Sequence, residues 1–189
     1  MQVIIAKHSG FCRGVQNAVD TAMSVPPENT YVLGEIIHNS YVVDKIKSRG
    51  IITVESLEEV PDGATVIFRS HGVPAHYYDE CRSRGIEVID CTCGFVRNTQ
   101  RIVKEQSEHG KFIVIVGEAT HPEVVGLQGW CSGSALVVKD PSFDFTILKD
   151  KDVCVVAQTT FSVEKFEKII ENIKNLCEKT VAVFKTICY

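Results

Sequence analysis

Three stretches of the chain share one form: an apolar run, a cysteine, and the opening of a helix. VIIAKHSGFCRGVQNAV carries Cys12, IEVIDCTCGFVRNTQRIV carries Cys93, and VAVFKTICY carries Cys188. The intervals between these cysteines, 81 and 95 residues, are the size of small domains. A thiol just ahead of a helix N-terminus meets the positive end of the helix dipole and unbonded N–H groups, which favour the thiolate. Gly10, Gly14 and Gly94 beside them would let the backbone approach a bulky inorganic group. One thiolate from each of three equivalent units could hold a metal centre with an open position, and suits an iron–sulfur cube with three protein ligands. Zinc fits less well, because it takes cysteine pairs a few residues apart. Cys91-Thr92-Cys93 is tighter than that, and no second pair exists. The competing reading is that most of the eight cysteines are small buried hydrophobes in a reducing compartment, as Cys154 in VCVVA and Cys177 in IKNLCEK suggest.

A second set of landmarks recurs at an offset of 83 residues. VLGEIIHNSYVV and IVGEATHPEVV match as G-E-x-x-H, which pairs His38 with His121. At an offset of 89, the RSH of TVIFRSHGVP aligns with the QTT of VVAQTTFSVE and sets His71 opposite Thr160 and Ser70 opposite Thr159. Three imidazoles around one cavity could bind an anion, a phosphate or diphosphate, or a metal. The metal option lacks an H-E-x-x-H pairing. Glu123 follows His121 by two residues, and a carboxyl group there could shuttle protons in a closed site. Thr159 and Thr160 offer hydroxyls to orient a substrate oxygen or Glu123. The structural alternative for Gln-Thr-Thr is a helix cap, a part open to Thr160 and Ser162 as well. His76 and His109 read as surface or structural, and His8 has no counterpart in the repeat.

The elements that must position these residues alternate between strand and helix. Each polar landmark closes a strand-like apolar run, and helix-like stretches follow at 40–48, 75–84, 122–130 and 163–177. Pro26-Pro27, Pro61-Asp62-Gly63 and Asp140-Pro141 mark loops. The pattern predicts repeated small parallel α/β domains, with ligands beyond the carboxyl ends of the strands. The expected boundaries are 1–92, 93–187 and a stub at 188–189 of a third unit. Of the 189 residues, 44% are apolar and 23% charged, which excludes a disordered, collagen-like or coiled-coil chain. A net charge of −4 gives no basic face for nucleic acid. The apolar runs, such as 112–116, are too short to span a membrane. The opening MQVIIAKHSG has no signal-peptide form, so a cytoplasmic location is expected.

With these residues in place the chain resembles the 4-hydroxy-3-methylbut-2-enyl diphosphate reductase family, which closes the methylerythritol phosphate route of isoprene biosynthesis. GFCRGV at 10–15, GEIIHN at 34–39, HGV at 71–73, TC at 92–93, HPEV at 121–124, QTT at 158–160 and TIC at 186–188 look like that family's motifs, in its order. The resemblance runs over the whole chain. It implies a trefoil-like, pseudo-threefold assembly of three α/β domains around a [4Fe–4S] cluster held by Cys12, Cys93 and Cys188, with one iron open. It implies that His38, His71, His121, Thr159 and Thr160 hold the substrate diphosphate. It further implies that Glu123 delivers protons with Thr159 positioning it, and that a ferredoxin or flavodoxin supplies electrons. The implied reaction is a two-electron reductive dehydroxylation to isopentenyl and dimethylallyl diphosphates. Gly94 and Thr120 stand where the family usually has proline and glycine. The family's Ser-x-Asn motif is absent, so the expectation is a reductase truncated after the third cluster cysteine, inactive by itself.

Two other classes compete. A non-enzymatic metal- or anion-binding module would use the same residues without turnover. A cysteine hydrolase would use Cys12 as nucleophile with a histidine base, yet that chemistry has no need of three equivalent cysteines.

Overall fold

The computed structural model describes residues 3–4 and 9–188. Most of the opening apolar run and His8 lie outside the described residues. The chain forms two compact units, Met1–Ser70 with Gly85–Cys93, and His71–Arg84 with Gly94–Tyr189.

In the first unit helix α1 (Arg13–Ser24) precedes strand β1 (Thr30–Leu33), and α2 (Ser40–Ser48) leads to β2 (Ile52–Val54). Strands β3 (Thr65–Phe68) and β4 (Glu87–Asp90) complete a four-stranded sheet of order β2-β1-β3-β4, parallel throughout. Parallel sheets are covered on both faces, so their central strands read as continuous apolar runs. Val66, Ile67 and Phe68 of β3 are fully buried accordingly. Ala18 and Ala22, four residues apart on α1, turn one small-residue face to the core beside Ile36, Ile46 and Cys91. Asn39 starts α2: its side chain accepts from the Val42 N–H at 3.2 Å.

In the second unit α3 (His76–Ser83) and α4 (Gly94–Glu108) are followed by β5 (Phe112–Val116), α5 (Pro122–Gln128), β6 (Ala135–Val138), β7 (Val153–Ala157), α6 (Val163–Leu176) and β8 (Val181–Val183). The sheet order is β6-β5-β7-β8, again all parallel and the same as in the first unit. On one face Phe166, Ile169, Ile170 and Ile173 of α6 form the apolar stripe of helical spacing. On the other, Ile102 and Val103 of α4 meet Val124 and Leu127 of α5 over Ile113, Ile115 and Cys154. Ser162, and not Thr160, caps α6, accepting from Lys165 N–H at 3.4 Å. The four helical stretches expected at 40–48, 75–84, 122–130 and 163–177 are α2, α3, α5 and α6, with ends differing by at most two residues.

Register makes the repetition exact enough to compare residues. β1 and β3 end together at Leu33 and Phe68, as β5 and β7 do at Val116 and Ala157. Phe68 therefore corresponds to Ala157, Ser70 to Thr159, and His71 to Thr160. The alternation of strand and helix, both sheets parallel, is the α/β architecture the sequence pattern predicts. No helix among the described residues is long and apolar enough to cross a membrane.

Candidate functional site

In each unit the residues singled out by the repeat, Cys12 aside, stand past the carboxyl ends of the strands, where parallel sheets bind ligands. The glycine that ends β1 or β5 is tied to the neighbouring edge strand in the same manner. Gly34 N–H donates to Val54 carbonyl at 2.7 Å, and Gly117 N–H to Val138 carbonyl at 2.9 Å. The cysteine that follows the last strand is also tied in the same manner. Cys93 N–H donates to the Ser70 carbonyl at 2.9 Å, and Cys188 N–H to the Thr159 carbonyl at 2.7 Å.

Glu123 is the most unusual side chain in the second unit. It lies in the first turn of α5 and is only 1% exposed. One carboxylate oxygen accepts from the Thr159 N–H at 2.7 Å and the other from the Thr159 hydroxyl at 2.7 Å. Burial raises its pKa above the usual carboxylate range, and the two Thr159 donors lower it again only in part. Thr159 passes its carbonyl to Cys188, so acid and thiol are joined through one residue. Thr186 fixes that segment further: its hydroxyl donates to Ala157 carbonyl at 2.7 Å and accepts from Ala157 N–H at 2.8 Å.

His121 caps α5. Its Nδ1 accepts from the Glu123 N–H at 3.2 Å, which assigns the ring proton of the neutral form to Nε2. His71 meets His121 edge to face, ring centres 5.4 Å apart. The His71 segment is seated by small residues of and beyond α5. A Cβ on Gly126 would come within 3.4 Å of the Gly72 carbonyl oxygen, and one on Gly129 would collide with Pro74. Trp130 Nε1 donates to the Val73 carbonyl at 3.0 Å.

In the first unit Cys12 is the N-cap of α1; its side chain makes no capping bond and is exposed. Gly14, two residues on, faces Cys93: a Cβ there would sit 2.8 Å from the Cys93 Sγ. The missing side chain keeps space open at a half-buried thiol. His38 is exposed, with Nδ1 3.6 Å from a Glu35 carboxylate oxygen.

The eight thiols divide by environment. Burial pushes the thiols of Cys81, Cys91 and Cys177 up, and those of Cys131 and Cys154 up to about 11. Such thiols hold their protons at neutral pH, whereas a metal takes the thiolate. Cys12 and Cys188 are exposed and Cys93 is half-buried. Cys177, read from sequence as a buried hydrophobe, is half-buried beside the core, and Cys154 is fully buried. His76 and His109 are both exposed.

Two residues carry structure here that the sequence reading passed over. Arg69 lays its guanidinium against Gly34, whose φ of 68° and lack of a side chain make room for it. Gln158 is 7% exposed and bridges two loops, its Oε1 accepting from Glu118 N–H at 3.0 Å and its Nε2 donating to the Thr160 hydroxyl at 2.9 Å. Gln158 stands in the quoted QTT motif, but an amide at a strand end gives no sign from sequence of what it bridges.

The family described as LytB protein matches residues 3–189. The 4-hydroxy-3-methylbut-2-enyl diphosphate reductase of Alkaliphilus oremlandii is 40% identical over 192 residues, which cover 100% of this chain and 68% of that one. The protein of the same description from Clostridium acetobutylicum is 39% identical over 192 residues, 99% of this chain and 30% of that one. A solved structure of (E)-4-hydroxy-3-methyl-but-2-enyl diphosphate reductase superposes with a TM-score of 0.84 at 39% identity, covering 98% of this chain and 68% of its own. The Plasmodium falciparum reductase structure gives 0.84 at 28% identity, covering 95% and 58%. The chain thus spans from under a third to about two thirds of the length of these relatives.

Proposed function

The chain belongs to the LytB protein family, and from that premise we propose that it carries the cluster ligands and part of the cavity of a 4-hydroxy-3-methylbut-2-enyl diphosphate reductase. The observation that carries this reading is the single residue, Thr159, between a buried acid and an exposed thiol. Reductive removal of a hydroxyl needs a proton source and an electron source near one carbon.

Cys12, Cys93 and Cys188 are proposed as the ligands of a [4Fe–4S] cluster. The donor set fits: these thiols are exposed or half-buried, Gly14 leaves room at Cys93, and Cys91 is sealed in the core. When bound, such a cluster supplies electrons and a Lewis-acidic iron. The electrons are proposed to come from a ferredoxin or flavodoxin.

The protein's own groups account for the rest. His121 bears its ring proton on Nε2, a donor suited to a diphosphate oxygen, and His71 stands beside it. His38 and Thr160 are proposed to join them as diphosphate donors. Glu123, its pKa raised by burial above the usual carboxylate range, is proposed as the proton donor. The Thr159 hydroxyl, hydrogen-bonded to Glu123, can accept from one partner and donate to the next, so it relays that proton towards the substrate hydroxyl. The balance is two electrons and two protons in: the carbon–oxygen bond breaks, water leaves, and a new carbon–hydrogen bond forms at either end of the allyl unit. That gives isopentenyl or dimethylallyl diphosphate.

Anaerobic iron–sulfide reconstitution of the chain tests the reading, with elemental analysis and acid-labile sulfide as readout. About four irons and four sulfides per chain are expected. A chain that takes up no iron, or takes zinc in its place, overturns the cluster assignment.

A further inference from the structure

We infer that Gln158 sets the direction of the Thr160 hydroxyl and so makes Thr160 a hydrogen-bond donor to an anionic ligand; this rests on the diphosphate reading above. The Gln158 amide has two chemically different ends, and its surroundings permit only one orientation. The Glu118 backbone N–H, at 3.0 Å, can only donate. It must therefore face the amide oxygen, and the Nε2 end is left to face Thr160 at 2.9 Å. Gln158 is 7% exposed and its backbone N–H is bonded to the Val116 carbonyl at 2.8 Å, which fixes the root of the side chain.

The consequence falls on Thr160. Its oxygen accepts a hydrogen from Nε2, so the hydroxyl hydrogen turns elsewhere. Thr160 is exposed, past the carboxyl end of β7, one residue after the threonine that holds Glu123. A hydroxyl that donates there suits a phosphate oxygen, which can only accept. Gln158 also has a mechanical part. It ties the loop after β5, which leads to His121 and Glu123, to the loop after β7, which bears Thr159 and Thr160. Gly117 makes this clasp possible, since a Cβ there would fall 2.9 Å from the Gln158 Cβ. Gln158 is thus a positioning residue that acts through Thr160.

Gln158→Glu separates polarity from shape. A carboxylate of the same size still accepts from the Glu118 N–H, but its second oxygen also accepts. Thr160 must then donate inwards and lose its outward hydrogen. The test is a double-mutant cycle in pyrophosphate affinity, by calorimetry on the 189-residue chain, with Gln158→Glu, Thr160→Val and the pair. Each single change is expected to weaken binding about ten-fold or more. The pair should be little weaker than either single change. The added charge acts in both backgrounds and cancels from the coupling. Effects that multiply to within about two-fold would show that Gln158 does not act through Thr160. A second readout needs no ligand and no change at Gln158. In Thr160→Val, the side-chain amide protons of Gln158 should shift in NMR spectra and exchange faster with water. Unchanged amide signals overturn the orientation itself. Shifted signals with no pyrophosphate binding by the wild type would overturn the donor role and the diphosphate reading together, leaving only the hydrogen bond.

Discussion

At the residue scale, Glu123 is where burial and chemistry conflict. A carboxyl group 1% exposed would ordinarily be neutral or ion-paired, yet its partners are two neutral donors of one threonine. Burial wins, and the folded-state pKa lies above the unfolded one. A group raised in this way stabilises the fold below its unfolded pKa, and that contribution is lost as pH rises through the folded pKa. Gln at this position cannot titrate. The stability of the wild type relative to Glu123→Gln should therefore fall as pH rises above about 4, the ordinary carboxylate pKa of the unfolded chain, measured by urea unfolding. A difference that is flat or rises with pH would contradict the raised pKa. Glu123 was legible in the sequence as a polar residue beside a repeated histidine. Its burial was not, because THPEVVG reads as an ordinary helix start with an acid in its first turn.

At the element scale, the seat of the His71 segment depends on what α5 and the residues after it lack. Gly129 has an ordinary right-handed backbone, so alanine there suffers no backbone strain. The added methyl would instead strike Pro74. Gly129→Ala is expected to cost about 1–3 kcal/mol, read as a lower urea midpoint. Gly133→Ala, with open space around it, should be near neutral. An equal cost for both would mean that helix-end flexibility, not the Pro74 contact, governs the site. The helices themselves were legible. The apolar stripe at Phe166, Ile169, Ile170 and Ile173 and the Pro122 start each declare a helix locally. The close approach of Gly72 to Gly126 was not, since a pairing 54 residues apart leaves no mark in either segment.

At the scale of the whole molecule, repetition does what no local motif can. It equates Cys93 with Cys188, both tied by N–H to the residue two past the end of the third strand in the sheet. By the same count Cys91 corresponds to Thr186 and points to the core, where it packs with Ala18, Ala22 and Ile67. In the reconstituted chain Cys93→Ser should lose most of its iron, whereas Cys91→Ser should keep it. Cys91→Ser should instead lose about 1–3 kcal/mol of stability for the hydroxyl placed among apolar groups. Iron lost from Cys91→Ser and kept in Cys93→Ser would reverse the assignment. The correspondence of Cys93 with Cys188 was readable in the sequence because the repeat spans the chain.

The Thr186 hydroxyl has a last consequence, for motion. It occupies the place at which Ala157 would otherwise meet a further backbone partner on β8, holding both the N–H and the carbonyl of that residue. The protection of one amide proton against deuterium exchange, that of Ala157, therefore reports how often the stretch leading to Cys188 lifts from the sheet. A probe remote from the sulfur could thus time the opening of the thiol's anchorage without touching the thiol.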